Sequence, residues 1–131
     1  MRNINHNTLL RKMVLAAIGL VAAGFVATAH ARSADRTSLT FSKDVALPGV
    51  VLPAGTYVFD IANPDSSHDV VRVATRDGHV RYMGFTLRVQ RPAGIPASQP
   101  VTFGEARADT PFPIAAWFPT GTSSGRQFVY R

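Results

Sequence analysis

Residues 47–61, LPGVVLPAGTYVFDI, hold two turn signals and then a segment in which apolar and polar side chains alternate. Tyr57, Phe59 and Ile61 fall on one face of that segment, which is the pattern of a half-buried β-strand. The proline of the PAG turn sets its own φ, and Gly55 permits the positive φ that such a turn needs. The stretch therefore predicts a strand that starts at a fixed point and directs its aromatic face into a core.

The first 31 residues have the parts of an export signal. Basic residues at positions 2, 11 and 12 precede an apolar run over residues 13–29, and Ala29-His30-Ala31 fits the small-x-small cleavage pattern. We predict that residues 1–31 are a helical signal peptide and that residues 32–131 form a single β-domain, periplasmic or secreted. The alternative is an uncleaved membrane anchor, because the apolar run is near the lower length limit for crossing a bilayer.

Composition limits the partners that the exported part can have. The chain has 14 basic and 8 acidic residues, and three of the bases lie in the signal, which leaves 14 − 3 = 11 bases and a net charge of +3. That charge is too weak for a nucleic-acid footprint, so no nucleic-acid partner is expected. The chain has no cysteine, which excludes disulfides and thiol chemistry. A membrane partner is expected only through an uncleaved signal.

Short strands separated by turns follow one another along the exported part. Apolar and polar residues alternate over residues 37–41, apolar pieces at 45–47 and 50–52 flank Pro48-Gly49, and further strands are expected at 101–105 and 127–130. Residues 114–118 are apolar on both parities and are expected to be buried. We find no amphipathic helix pattern after residue 31. The predicted fold is all-β, a small antiparallel β-sandwich, with a small closed β-barrel as the alternative.

A hairpin is predicted around Asp77-Gly78, a favoured pair for a two-residue type I′ loop. That loop pairs Val73 with Tyr82 and Thr75 with Val80. Four apolar side chains then share one face, namely Val71, Val73, Val80 and Tyr82. Four basic side chains share the other face, namely Arg72, Arg76, His79 and Arg81.

The return strand of this hairpin changes phase in sequence. A β-bulge near Met83-Gly84 would bring a second set of apolar residues to the core face, namely Met83, Phe85, Leu87 and Val89. Thr86, Arg88 and Gln90 would then face water. The alternative is a second half that is covered on both sides.

The order of these motifs resembles a group of small exported bacterial proteins, common in soil bacteria such as acidobacteria. The shared features are the LPAG-x-Y turn at residues 52–57 and a closing box, W-[FY]-P-G…G…FVYP, which matches Trp117-Phe118-Pro119…Gly125…Phe128-Val129-Tyr130. Thr120 stands where the box has glycine, and Arg131 where it has proline. The resemblance covers nearly all of residues 32–131 and implies a shared fold, but it assigns no activity to any residue.

Two surfaces are candidate binding sites. The basic hairpin face, Arg72, Arg76, His79 and Arg81, is suited to an anion, although a solvated face that discourages edge pairing has the same pattern. Four aromatic side chains near the carboxyl end are suited to a ligand platform, for example for a glycan, although a closed core uses the same residues. These four are Phe112, Trp117, Phe118 and Tyr130.

No residue pattern predicts a catalytic group, a metal site or a cofactor. His68 and His79 lie at opposite ends of the hairpin, too far apart to share a metal. Ser66, Ser67, His68 and Asp69 are adjacent in one loop, whereas the members of a triad come from separate segments. We therefore expect a non-enzymatic structural or binding module of the cell envelope or periplasm, whose partner is an envelope polymer or protein. The alternative is a small secreted hydrolase with an unrecognised site.

Overall fold

The computed structural model describes residues 26–33 and 36–131, and within these residues all regular structure is β-strand. Among them there is no helix long and apolar enough to span a membrane. Residues 1–25, most of the predicted signal peptide, lie outside the described part, and the predicted cleavage site lies in β1. The strands are β1 (Val26–Ser33), β2 (Arg36–Phe41), β3 (Val45–Leu47), β4 (Val50–Leu52), β5 (Gly55–Asn63), β6 (Ser67–Thr75), β7 (Val80–Gln90), β8 (Val101–Phe103), β9 (Phe112–Trp117) and β10 (Ser124–Phe128).

The strands form one open sheet that folds over on itself. Their order is β1-β2-β5-β6-β7-β10-β9-β3-β4, with β8 added on β9. Every pair is antiparallel except β3 with β9. Among the described strands, β1 and β4 end the sheet and do not pair with each other. The all-β sandwich prediction is therefore confirmed, and the sheet is not closed into a barrel.

Aromatic side chains from distant strands meet between the two layers. The Phe59 ring of β5 lies 5.9 Å from the Trp117 ring of β9 and 6.5 Å from the Phe128 ring of β10. Because β5 and β9 are four strands apart in the sheet, this contact exists only because the sheet folds over. Phe59 and Trp117 are fully buried. Each such side chain contributes about 2–3 kcal/mol of transfer free energy, and the tilted aromatic pairs add about 0.5–1.5 kcal/mol each.

The LPAG turn starts β5 as predicted. The Ala54 N–H donates to a carboxylate oxygen of Asp44 at 3.0 Å, and the Tyr57 hydroxyl donates to the Pro53 carbonyl at 2.6 Å. Gly55 has φ of +156°, which L-residues with side chains rarely adopt. Tyr57, Phe59 and Ile61 are all buried, so the alternation in residues 57–61 is confirmed.

We expect Gly55→Val to lower the free energy of unfolding by about 1–3 kcal/mol, since valine is strained at this φ. An added Cβ meets only ordinary contacts at 3.8 Å or more, so the cost comes from the backbone. Each kcal/mol corresponds to about 4–8 °C in the melting temperature of a domain of this size. Gly94→Val is the control, because Gly94 has open space and no positive φ. Equal melting temperatures for the two variants would contradict the turn assignment.

The hairpin between β6 and β7 differs from its predicted form at the tip. The Thr75 N–H donates to the His79 carbonyl at 2.9 Å, so the loop has three residues, 76–78, rather than two. Val73 still pairs with Tyr82, but Ala74 pairs with Val80, which leaves Arg81 as a bulge. The extra loop residue and the bulge shift the register in opposite directions, so the pairing below the bulge is the same as in the predicted hairpin. The predicted pairing of Thr75 with Val80 is therefore wrong, and Val80 is 52% exposed rather than buried.

The predicted bulge at Met83-Gly84 is also wrong, and β7 keeps Tyr82, Gly84 and Thr86 on its inner face. The Tyr82 ring packs across Gly84, where an added Cβ would lie 2.8 Å from the ring atom Cζ, and it contacts the Phe128 ring at 5.7 Å. Thr86 is buried and its hydroxyl donates to the Asp69 carbonyl at 2.7 Å. The side chains at the odd-numbered positions of β7 therefore point away from the core. Met83, Phe85 and Leu87 are exposed, Val89 is half-buried, and of the residues expected in water only Arg88 and Gln90 lie there.

Residues 114–118 are largely buried, as predicted. A bulge in β9 allows side chains at both even and odd positions to be buried. The register of β8 against β9 shifts between Ile114 and Ala116, so Ile114 and Trp117 both reach the main core. Phe118 is buried beside the Arg91 guanidinium, 4.5 Å above its ring. Arg91 also donates to the carbonyls of Pro96 and Gln99 at 2.6 Å each, which holds the proline-rich connection over Phe118. Burial lowers the pKa of Arg91.

Candidate functional site

The outer face of the sheet brings a row of charged residues together across three strands. Arg36 of β2 pairs in register with Asp60 of β5, Asp60 with Arg72 of β6, and Arg72 with Met83 of β7. The Arg72 Nε and Nη2 atoms donate to the two Asp60 carboxylate oxygens at 3.0 and 2.6 Å. This bidentate bond raises the pKa of Arg72. The charge of Arg72 is therefore largely balanced within the sheet.

The predicted anion-binding face is brought together only in part. Arg72 and Arg76 line a shallow depression of about 140 Å³ on this face, and Arg36 lies there with them. His79 instead pairs with Asp77 at 2.9 Å, and Arg81 occupies the bulge outside the depression. The pKa of Asp77 is lowered, first by the Thr75 hydroxyl that donates to it. The depression thus holds three arginines and Asp60.

An exposed apolar row runs along the outer face of β7 beside this charged row. We call it the outer stripe: Val80, Met83, Phe85 and Leu87, which are 52%, 54%, 75% and 58% exposed. Phe85 pairs with the half-buried Val70 of β6, so the stripe continues sideways into apolar surface. A row of this kind on a sheet whose core is complete is a feature of interaction surfaces. Sequence reasoning missed it because it assigned these side chains to the core.

The surroundings of the outer stripe are basic. No acidic residue occurs between Gly78 and Gly104 or between Thr110 and Arg131. Arg81, in the bulge, and Arg88, two residues before the end of β7, are exposed, and within the described part of the chain their guanidinium groups have no hydrogen-bond or ion-pair partner. The stripe is therefore apolar, with Arg81 in the bulge between Val80 and Met83, whereas Arg88 follows Leu87 on the face of β7 that carries Thr86.

The four aromatic residues of the predicted platform do not share one surface. Trp117 and Phe118 are buried, on opposite sides of β9, and Phe112 is half-buried against the Phe103 ring at 6.5 Å. Tyr130 is partly exposed, but its hydroxyl donates to the carbonyls of Ala46 and Ile114 at 3.0 and 2.7 Å. The predicted aromatic platform is therefore wrong. The folded sheet encloses most of these aromatic side chains, and the Tyr130 hydroxyl anchors the carboxyl-terminal segment to two carbonyls.

A cleft of about 470 Å³ opens beside Tyr130, between β4 and the loop before β9. Glu105 and Arg107 are its charged residues, and Val50, Val51 and Pro111 supply apolar walls. Thr110 and Tyr130 supply the other polar side chains of its lining, and neither histidine nor serine is among the lining residues.

Ser67 and Asp69, at the start of β6, have structural partners. The Asp69 carboxylate accepts a bond from Arg126 at 3.1 Å, and the Asp69 N–H donates to the Ser67 hydroxyl at 3.1 Å. His68, between them in sequence, is exposed. Among the described residues there is no group of three His, Cys, Asp or Glu side chains placed to hold a metal.

Alkaline pH is expected to destabilise the fold through Tyr130 and Tyr82. Burial raises the pKa of both hydroxyls, and Tyr82 adds to the effect at Tyr130. A raised pKa in the folded state means that the stabilisation is complete below the ordinary tyrosine pKa of about 10 and is lost as the pH rises above it. The melting temperature should therefore fall above about pH 10, and less steeply in Tyr130→Phe. An unchanged slope in both Tyr130→Phe and Tyr82→Phe would contradict this assignment.

Comparison with protein-family models, with curated proteins and with solved structures gave no match. The resemblance to small exported bacterial proteins therefore stays a prediction.

Proposed function

We propose that this chain is an exported, non-enzymatic module that binds a protein of the cell envelope through the outer stripe. The observation that carries the proposal is the exposure of Met83, Phe85 and Leu87 on a sheet whose other face already holds a full core. Exposing a row of large apolar side chains costs hydration free energy, and a partner that covers them recovers it. Export is supported by the pattern of residues 1–31.

Charge defines the chemistry of the partner. Arg81, in the bulge within the stripe, and Arg88, directly after Leu87, are exposed and have no carboxylate partner among the described residues. A partner with an apolar centre and acidic residues around it would match this pattern, and complementary charge would steer the encounter. The stripe spans about 23 Å along β7, from seven residue steps of about 3.3 Å. A row of this length suits a protein surface such as a strand or helix with a matching apolar row.

The test places a photo-crosslinking phenylalanine analogue at position 85 of the full chain in an exporting bacterial host. We expect an adduct of one defined protein mass, lost in Met83→Ser/Leu87→Ser and at least tenfold weaker in Arg81→Glu/Arg88→Glu. All four side chains are exposed, so the variants should keep the melting temperature within a few degrees. The same analogue at Val51, which is 48% exposed on β4 and does not belong to the outer stripe, is the matched control.

Three results would contradict the proposal. Equal adducts from positions 85 and 51 would mean that the capture is unspecific. An adduct at position 85 that is equally strong in Arg81→Glu/Arg88→Glu would contradict the proposal that the partner is acidic. Lipid adducts in place of protein adducts would show that the stripe meets a membrane.

A further inference from the structure

Among the described strands, β1 alone covers the outer edge of β2, and β1 lies at one end of the sheet. The two strands pair in register at five positions, through Val26, Ala29, His30, Ala31 and Ser33 of β1. The predicted cleavage after Ala31 removes the first four of these and leaves Ser33 opposite Arg36. If export processes the chain as proposed above, on which this inference rests, the mature protein has β2 as a bare edge strand.

Nothing in β2 discourages another strand from pairing with that edge. Natural edge strands are protected by proline, bulges, inward charges or shortness. β2 is a regular six-residue strand, RTSLTF, without proline or glycine, and its one charge, Arg36, is at its first residue. Its register with β5 runs without interruption from Arg36 to Phe41. The pairing with β1 shows directly that an antiparallel strand fits there.

We propose that in the processed protein a second copy of the chain takes the place of β1, with β2 pairing antiparallel to β2 of the other copy. The strand is self-complementary when Leu39 of each copy lies opposite Leu39 of the other. Thr37 then lies opposite Phe41, on the inner face, where all three of these side chains are buried in the single chain. Ser38 lies opposite Thr40, on the outer face.

This register creates favourable pairs and no like-charge pair. Cross-strand Ser–Thr pairs form hydrogen bonds on the exposed face of a sheet, and apolar pairs extend the core across the junction. A shift by one residue would place Leu39 opposite a polar outer residue and turn one copy's inner face to water, so the register is strongly specified. The two sheets join into one continuous sheet around a twofold axis, which is the closed symmetry of most homodimers.

A charge exchange tests both the dimer and its register. Ser38→Lys/Thr40→Lys puts lysine opposite lysine in the proposed pair, and Ser38→Glu/Thr40→Glu puts glutamate opposite glutamate. We expect the unaltered processed protein to be dimeric at 10–100 µM by light scattering and each double variant to be monomeric. A 1:1 mixture of the two variants should restore a dimer, since every lysine then faces a glutamate. Gln127→Lys, exposed on the central strand β10, is the control and should stay dimeric.

The protein is made as the full chain in an exporting host, and its amino terminus is read by mass spectrometry before the measurement. A processed protein that is monomeric would overturn the dimer while leaving the outer stripe proposal intact. A dimer that both double variants keep would place the contact elsewhere and overturn the β2 pairing. A chain that retains residues 26–31 would overturn the processing on which the bare edge depends. Since β7 lies three strands from β2, crosslinking at Phe85 tests the stripe separately.

Discussion

Val73→Asp abolishes folding of the domain, whereas Val80→Asp leaves it folded: this is the result we expect from two valines of one hairpin. Val73 is fully buried in the core, and a carboxylate there has no cationic partner, so it costs more than about 4 kcal/mol. Val80 is half exposed and lines the depression that holds Arg36, Arg72 and Arg76. A carboxylate at that position meets water and three cations.

Circular dichroism and urea denaturation of the two purified variants measure this difference. Stability of a small domain is about 5–10 kcal/mol, so Val73→Asp should be unfolded or close to it. The pair also discriminates between hairpin registers, because a two-residue loop would bury both valines alike. Equal destabilisation by the two substitutions would contradict the three-residue loop and the bulge at Arg81.

Gly125→Ala is expected to destabilise the domain by about 3 kcal/mol or more, although it adds one methyl group. An added Cβ would lie 2.6 Å from the Trp117 carbonyl oxygen and 2.7 Å from the Phe118 ring atom Cε1, with Cδ1 closer still. Gly125 is buried in β10, between β7 and β9, so neither neighbouring strand has free space to move into. Thermal melting measures the loss, and Gly94→Ala is the neutral control.

A second variant identifies the cause. Gly125→Ala/Phe118→Leu removes the ring but keeps the backbone carbonyl, so we expect it to recover only part of the stability lost in Gly125→Ala. Full recovery would mean that the ring alone is in the way. No loss in Gly125→Ala would contradict the close approach of β9 to β10.

Local patterns predicted the parts of the fold that depend on neighbouring residues. The alternation of Tyr57, Phe59 and Ile61 identified β5 and its inner face, and Pro48-Gly49 separated β3 from β4. In the hairpin, the pairing of Val73 with Tyr82 was predicted, and the pairing nearer the loop was not. Two one-residue irregularities of opposite sense, the extra loop residue and the bulge at Arg81, leave Val73 opposite Tyr82 in either description.

The candidate site depends on strand order, which local patterns do not contain. Arg36 lies beside Asp60 only because β2 pairs with β5, 24 residues further along the chain. Their apolar character predicts that Phe85 and Leu87 lie in the core. Instead the Tyr82 ring packs across Gly84 on the inner face, so Phe85 and Leu87 point outward. The Tyr130 hydroxyl donates a hydrogen bond to the carbonyl of Ala46, 84 residues away in sequence. The local sequence around either residue does not predict this contact.

The position of β10 has a consequence for when the protein can fold. This strand lies between β7 and β9, so it joins β1, β2, β5, β6 and β7 to β9, β3, β4 and β8. It is also the last strand to be synthesised. Until residues 124–128 are in place, the chain holds two half-sheets without the strand that unites them. The complete sheet therefore forms only when β10 is inserted.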